Sequence, residues 1–141
     1  MVTLDRFVQA QEPLYDAALA ELRRGQKSGH WIWFVFPQLA GLGHSPTAQH
    51  YGLSGEEEAI EYLAHPVLGT RLRECTHALT ELPGVDPAAV LGPVDALKLR
   101  SSMTLFAEVS DEPVFRQVLE QYYAGKPDEL TLELLGRRPG S

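Results

Sequence analysis

Apolar residues recur at helical spacing almost from the start of the chain. Phe7, Gln11, Leu14, Ala18 and Leu22 fall on one stripe, and Gly25 is placed to end the helix they predict. Pro13 interrupts the run. It lacks an N–H and disfavours helix at Glu12, so a kink or break is expected there. Gln11 lies on the otherwise apolar stripe. A buried amide needs partners, so it either braces the core or faces a pocket.

Residues 28–45 read SGHWIWFVFPQLAGLGHS and hold both tryptophans of the chain. Aromatic and β-branched residues favour sheets. With no obvious partner strand, the pattern instead predicts a buried helix capped at Ser28 and ending before Pro37, followed by a GLG loop at 41–43. Ser45-Pro46, His65-Pro66 and Asp86-Pro87 each place a cap before a proline at the first helical position, with His65 the poorest cap by type. Ser54-x-x-Glu57 reads as a capping box opening a helix through Leu63. Leu68, Leu72, Cys75, Leu79 and Leu82 form one further stripe, and Ala96, Leu99, Met103 and Phe106 another. Asp111 is placed to cap a helix buried through Phe115, Val118, Leu119 and Tyr122 and ended by Gly125. Asp128 opens a last short helix through Leu135. The expected fold is all-α: one irregular bundle of about seven to nine short helices with little or no strand. It forms a single domain over residues 1–136, with a loose tail at 137–141.

Composition narrows the class. A chain of 141 residues, 44% hydrophobic and 22% charged, suits one soluble domain. One cysteine, Cys75, excludes an internal disulfide framework and fits a reducing, cytoplasmic setting. The start MVTLDRFVQAQ has no basic or apolar leader pattern, so no signal peptide is expected. No apolar run approaches the roughly 20 residues of a membrane span. The net charge of −7 argues against nucleic acid as partner, because such binding relies on phosphate neutralisation by Lys and Arg. A local basic pocket for one small phosphate stays open, with Arg71, Arg73, Lys98 and Arg100 as sources. Oligomeric state is not readable from the pattern.

Four stretches could carry chemistry. In the aromatic segment, helical spacing puts Trp31 and Phe34 on one face and His30, Trp33 and Pro37 on another, with Gln38 following. One face can fill the core while the other lines a cleft and stacks on a base or flavin-like ring, or all can be core. The loop Gly41, Gly43 and Ser45 could offer backbone N–H groups to an anion, or be a tight connection. It is not G-x-G-x-x-G, and a dinucleotide-binding Rossmann unit is rejected. Asp95, Lys98 and Ser102 share a helix face opposite the Ala96 stripe. Lys98 with the Ser101 and Ser102 hydroxyls could hold phosphate or a sugar. Equally, Asp95 and Lys98 could form a surface ion pair worth under ~1 kcal/mol. Arg71 could reach a carboxylate or phosphate bidentately, or lie exposed. There is no H-E-x-x-H, cysteine cluster or Walker loop, so neither a metal site nor a cofactor is called for. Cys75 reads as a small core residue.

RFVQAQ at 6–11, HWIWFVFPQ at 30–38, GLG-x-S at 41–45, EAIEYLAHPVLGTRL at 58–72 and DALKLRSSMTLF at 95–106 resemble the bacterial "domain of unknown function 1810" family. The resemblance runs in order over nearly the whole chain and implies a mainly helical fold of uncharacterised function. Members often carry the label calpastatin, a flexible inhibitor chain, whereas this chain has the stripes and caps of a packed domain. KLRSSMTLF, the F-x-x-x-L after it and the closing G-x-x-D-x-L are similar, more faintly, to the NADAR superfamily. That likeness implies cleavage of N-glycosidic bonds in ADP-ribosylated or riboflavin-pathway substrates. Asp95, Glu57 and Glu58 would be the candidate catalytic carboxylates. The expectation is a pocket for a nucleotide-like or ADP-ribose-like ligand, with N-glycosidase as the candidate activity. A non-enzymatic interaction module using the aromatic segment is the alternative.

Overall fold

The structure is a computed structural model and describes residues 3–137. Ten helices lie among these residues, one beyond the expected range. The first stripe is split at Pro13 into α1 (Asp5–Gln11) and α2 (Tyr15–Arg23), and Gly25 ends α2 at φ 76°. The aromatic segment yields only one turn, α3 (Ile32–Val35). Ser28 does not cap it. Its backbone N–H donates to Glu21 at 2.6 Å, and Trp31 occupies the cap position without a side-chain bond. A parallel bridge between Leu39 and Leu53 pins the following loop, with Leu53 N donating to Gln38 O at 2.9 Å.

Three predicted caps form as read. Ser45 Oγ accepts from Ala48 N to open α4 (Pro46–Tyr51), Asp86 Oδ1 from Ala88 N to open α7 (Pro87–Leu91), and Asp128 Oδ2 from Thr131 N to open α10 (Glu129–Leu134). His65 Nδ1 accepts from Val67 N and Leu68 N, but α6 (Leu68–Glu81) opens later than expected, with Val67 at the cap position and Pro66 outside the helix. Two other caps also differ from expectation. The box before α5 (Glu56–Ala64) slips by one residue: Gly55 takes the cap position, and Glu58 rather than Glu57 reaches back to Ser54 N at 3.0 Å. Ahead of α9 (Pro113–Tyr123) the cap position falls on Glu112, not Asp111, and no side-chain bond forms there.

The central element is α8 (Pro93–Val109), which packs against α3, α5, α7, α9 and α10. With neighbours on so many sides, residues 101–107 are all buried rather than one stripe. Phe106 joins Tyr62 and Phe115 at ring distances of 5.7 and 5.6 Å, and Tyr62 meets Phe7 edge-on at 5.1 Å. Gln11 braces this core: its Nε2 donates to Phe34 O at 2.6 Å and Tyr62 OH at 3.0 Å. The expected tail begins at Arg137, which is held by Glu56 at 2.8 Å and Glu108 at 3.2 Å. Residues 138–141 lie outside the described residues.

Candidate functional site

The two stretches singled out for chemistry, remote in sequence, meet around a cleft of about 280 Å³. Trp33 and Gln38 come from α3 and the segment after it, and Leu42 and Gly43 from the glycine loop. Val94, Leu97, Lys98 and Ser101 come from the first half of α8, and Asp128 and Leu130 from the start of α10. The single turn of α3 directs Ile32, Phe34 and Val35 inward and leaves Trp33 half-buried at the cleft. Gly43 shapes the wall because nothing larger fits. A Cβ there would sit 2.8 Å from Ala48 Cβ and 4.0 Å from both Trp33 Cη2 and Gln38 Nε2.

Lys98 stands over the Trp33 ring, its Nζ 4.3 Å from the centroid. The same Nζ is 3.1 Å from Asp95 Oδ1, and Lys27 Nζ is 2.8 Å from Asp95 Oδ2. Burial alone would raise the Asp95 pKa. The hydrogen bonds and charges of the two lysines outweigh it and hold the carboxyl below its ordinary value. Two ammonium groups thus share one carboxylate, leaving one positive charge unmatched within the cluster.

Lys27 is itself positioned by a clamp that no motif announced. It lies 5.1 Å from the Trp31 ring and donates to the Gly29 carbonyl. Glu21, buried on α2, accepts at Oε1 from Ser28 N (2.6 Å), Gly29 N (2.8 Å) and Trp31 Nε1 (3.0 Å). Burial pushes the Glu21 pKa up, but these donors and the Arg24 charge prevail and hold it down at about 2.

The remaining polar groups differ in how much they have left to offer. Ser101 Oγ donates to Leu97 O at 3.2 Å, and Asp128 Oδ2 holds the first turn of α10. The Gln38 side chain, only 9% exposed, makes no hydrogen bond to any described residue.

Of the sequence candidates, Trp33, Gln38, Gly43, Lys98 and Ser101 line the cleft and Asp95 stands directly behind Lys98. The others lie elsewhere. His30 is exposed on the preceding loop. Trp31, Phe34 and Pro37 are buried, Trp31 facing Glu21 and Phe34 packing on Tyr51 at 5.4 Å. Gly41, at φ 98°, has Leu134 rather than the cleft as its neighbour, and Ser45 is spent on its cap. Arg71 stacks over Tyr15 at 4.7 Å and pairs with Glu12 at 3.4 Å. Ser102 is fully buried, its hydroxyl without a partner among the described residues, because α8 is covered on the face expected to be open. Glu57 is exposed, and Glu58 is engaged by Arg6 at 3.2 Å. Arg73 pairs with Glu112 at 2.6 Å, and Arg100 donates to the carbonyls of Lys126 and Pro127.

Leu42, Val94, Leu97, Asp128, Leu130, Lys27 and Glu21 were not anticipated. One signal was present: Val94, Leu97 and Ser101 follow helical spacing on the side of α8 away from its apolar stripe. Two larger hollows, about 500 Å³ beside Asp111, Arg116 and Glu120 and about 580 Å³ beside Asp16, Arg23 and Arg24, contain none of the candidates, and a third, about 400 Å³ beside His50 and Gly52, contains only Glu58, there paired with Arg6. Among the described residues no group of three or more His, Cys, Asp or Glu could hold a metal ion, and no helix is long and apolar enough to cross a membrane.

One family, described as "Protein of unknown function (DUF1810)", matches residues 1–135. The structure is similar to a crystal structure of the conserved hypothetical protein Rv1873 from Mycobacterium tuberculosis. The two share 51% identity and a TM-score of 0.94, over 96% of this chain and 97% of that one. No curated protein matches the sequence.

Proposed function

The chain belongs to the DUF1810 family, and from that premise we propose that it binds a small nucleotide-like ligand, one ring with an anionic group, in the cleft between α3, α8 and α10. The observation that carries this reading is the meeting of Trp33 and Lys98 around one hollow, with the charge of Lys98 incompletely matched by Asp95. Leu42, Leu97 and Leu130 offer apolar surface to a ring, and the Lys98 ammonium on the same lining offers a charge for an attached phosphate. Ligand clefts usually run from about 300 to 1,000 Å³. At about 280 Å³ this one suits a mononucleotide better than ADP-ribose or NAD.

Binding is favoured over N-glycosidic cleavage. Hydrolysis needs a carboxyl able to donate a proton or to activate water. Asp95 is held ionised by two lysines, while Glu57 and Glu58 lie outside the cleft. The lone thiol of Cys75 fits a reducing, cytoplasmic setting. A second reading has one observation in its favour: Val94, Leu97 and Leu130 on the rim are 64%, 65% and 48% exposed, as at a protein-docking edge. Most of the aromatic segment is not available for that role, since Trp31, Phe34 and Phe36 are core.

A thermal-shift series with AMP, UMP, FMN, nicotinamide mononucleotide and ADP-ribose tests the reading. A mononucleotide at about ten times its Kd should stabilise by roughly 1.4 kcal/mol. Lys98→Met should abolish the shift. No shift with any compound at millimolar concentration would refute small-ligand binding and leave the rim as the functional surface.

A further inference from the structure

Gln38 is the one buried residue lining the cleft whose side-chain polar atoms make no hydrogen bond to a described residue. Its backbone is pinned by the bridge to Leu53, while its side chain lines the cleft floor beside Gly43, Nε2 lying 4.0 Å from where a glycine Cβ would be. It is 91% buried (9% exposed), yet neither its oxygen nor its nitrogen bonds to a described residue. Only Ser102 Oγ and Arg137 Nη1 are sealed from solvent without a partner among the described residues, so the Gln38 amide opens onto the cleft. Buried polar groups are overwhelmingly hydrogen-bonded, and an unpaired amide under a bound ring would be costly.

Resting on the reading of the cleft given above, we propose that Gln38 is the specificity-determining residue of this site. It selects rings that carry a hydrogen-bond donor and acceptor side by side on one edge. A carboxamide side chain offers one acceptor and two donors. It can therefore pair twice with an amide-like edge, as in the lactam of uracil or the amino-imine edge of adenine. A ring without that edge buries the Gln38 amide unpaired and is rejected. Leu42, Leu97 and Leu130 hold the ring's plane with little regard to its identity, whereas Gln38 reads its rim. The ligand class is thus narrowed to mononucleotides with an unsubstituted base edge.

The test pairs probes with a variant. Isothermal titration is run with UMP and its N3-methyl analogue, and with AMP and its N6,N6-dimethyl analogue, against the wild-type chain and Gln38→Leu. The better-bound parent nucleotide should lose about 10- to 100-fold in affinity on edge methylation, the cost of leaving one buried amide unpaired. Gln38→Leu should weaken the parent by a similar factor and tighten binding of the methylated probe, which then no longer buries an unpaired amide. Because the side chain bonds to nothing in the protein, Gln38→Leu should melt no lower than wild type. The methylated probes test the same claim on the unaltered chain. Parent nucleotides that bind with no sensitivity to methylation or to Gln38→Leu overturn this assignment but not the cleft. Failure of every parent nucleotide to bind the wild type overturns the cleft reading itself.

Discussion

The Glu21 clamp makes a quantitative prediction about stability. All three donors, Ser28 N, Gly29 N and Trp31 Nε1, converge on one oxygen, Oε1. Glu21→Gln can keep an acceptor at that position and removes only the charge. The carboxyl is held at about 2 against an ordinary 4.5, and at about 1.36 kcal/mol per unit this corresponds to roughly 3 kcal/mol of stabilisation. Ser28 is exposed and solvent screens its share, so about 2 kcal/mol is the expected loss at neutral pH. The sign follows from the depressed pKa. The contribution is fully present above 4.5 and disappears as pH falls toward 2, where the folded carboxyl takes up its proton. Urea denaturation followed by far-UV circular dichroism should therefore separate wild type from Glu21→Gln at neutral pH, with the gap closing as the medium is acidified through that window. A gap under about 0.5 kcal/mol at neutral pH, within the scatter of surface substitutions, would refute the claim that this carboxylate organises the loop. So would a gap that does not change with acidification.

Two further outcomes follow from packing. A Cβ at Gly69 would run into the Leu63 carbonyl where α6 meets the end of α5, so Gly69→Ala should cost about 2–4 kcal/mol by chemical denaturation, despite alanine's better helix propensity. Burial pushes the Cys75 thiol up to about 12, so a maleimide at mildly alkaline pH should label it only on unfolding, with labelling half-time tracking denaturant.

What could be read in advance was whatever a local rule governs. The stripe through Leu68, Leu72, Cys75 and Leu79 is buried as the period demands, and the Ser45, Asp86 and Asp128 caps form because a cap depends on two or three neighbouring residues. The errors arise where a helix has more than one partner or a bond spans a loop. Helical spacing alone puts Ser102 on an open face, but α8 has neighbours on several sides and buries it. Arg71 carries the right charge, but Tyr15 and Glu12, both from the N-terminal stretch, claim it. Glu21 escaped notice because its three partners lie seven to ten residues ahead in irregular chain, where no period marks a pairing. The meeting of Trp33 with Lys98 was an inference from residue type, and tertiary packing alone brings the two together.

That meeting depends on a series of contacts that begins in the core. Glu21 holds Trp31, the Trp31 ring faces Lys27, Lys27 and Lys98 share Asp95, and Lys98 covers Trp33. Each cation lies between a carboxylate and an aromatic face, so neither lysine can swing away without losing both kinds of contact at once. A lysine on a free surface would have to be ordered by its ligand, and ordering a long side chain costs about 0.5–1.5 kcal/mol. Here that ordering is complete before anything binds. The same arrangement sets what Asp95 can do. Each of its two oxygens faces an ammonium group, and the two cations keep the carboxyl deprotonated, without a proton to give. A carboxylate used to fix two cations is unsuited to acid–base chemistry, and this is the physical ground for reading the cleft as a place of recognition rather than bond cleavage.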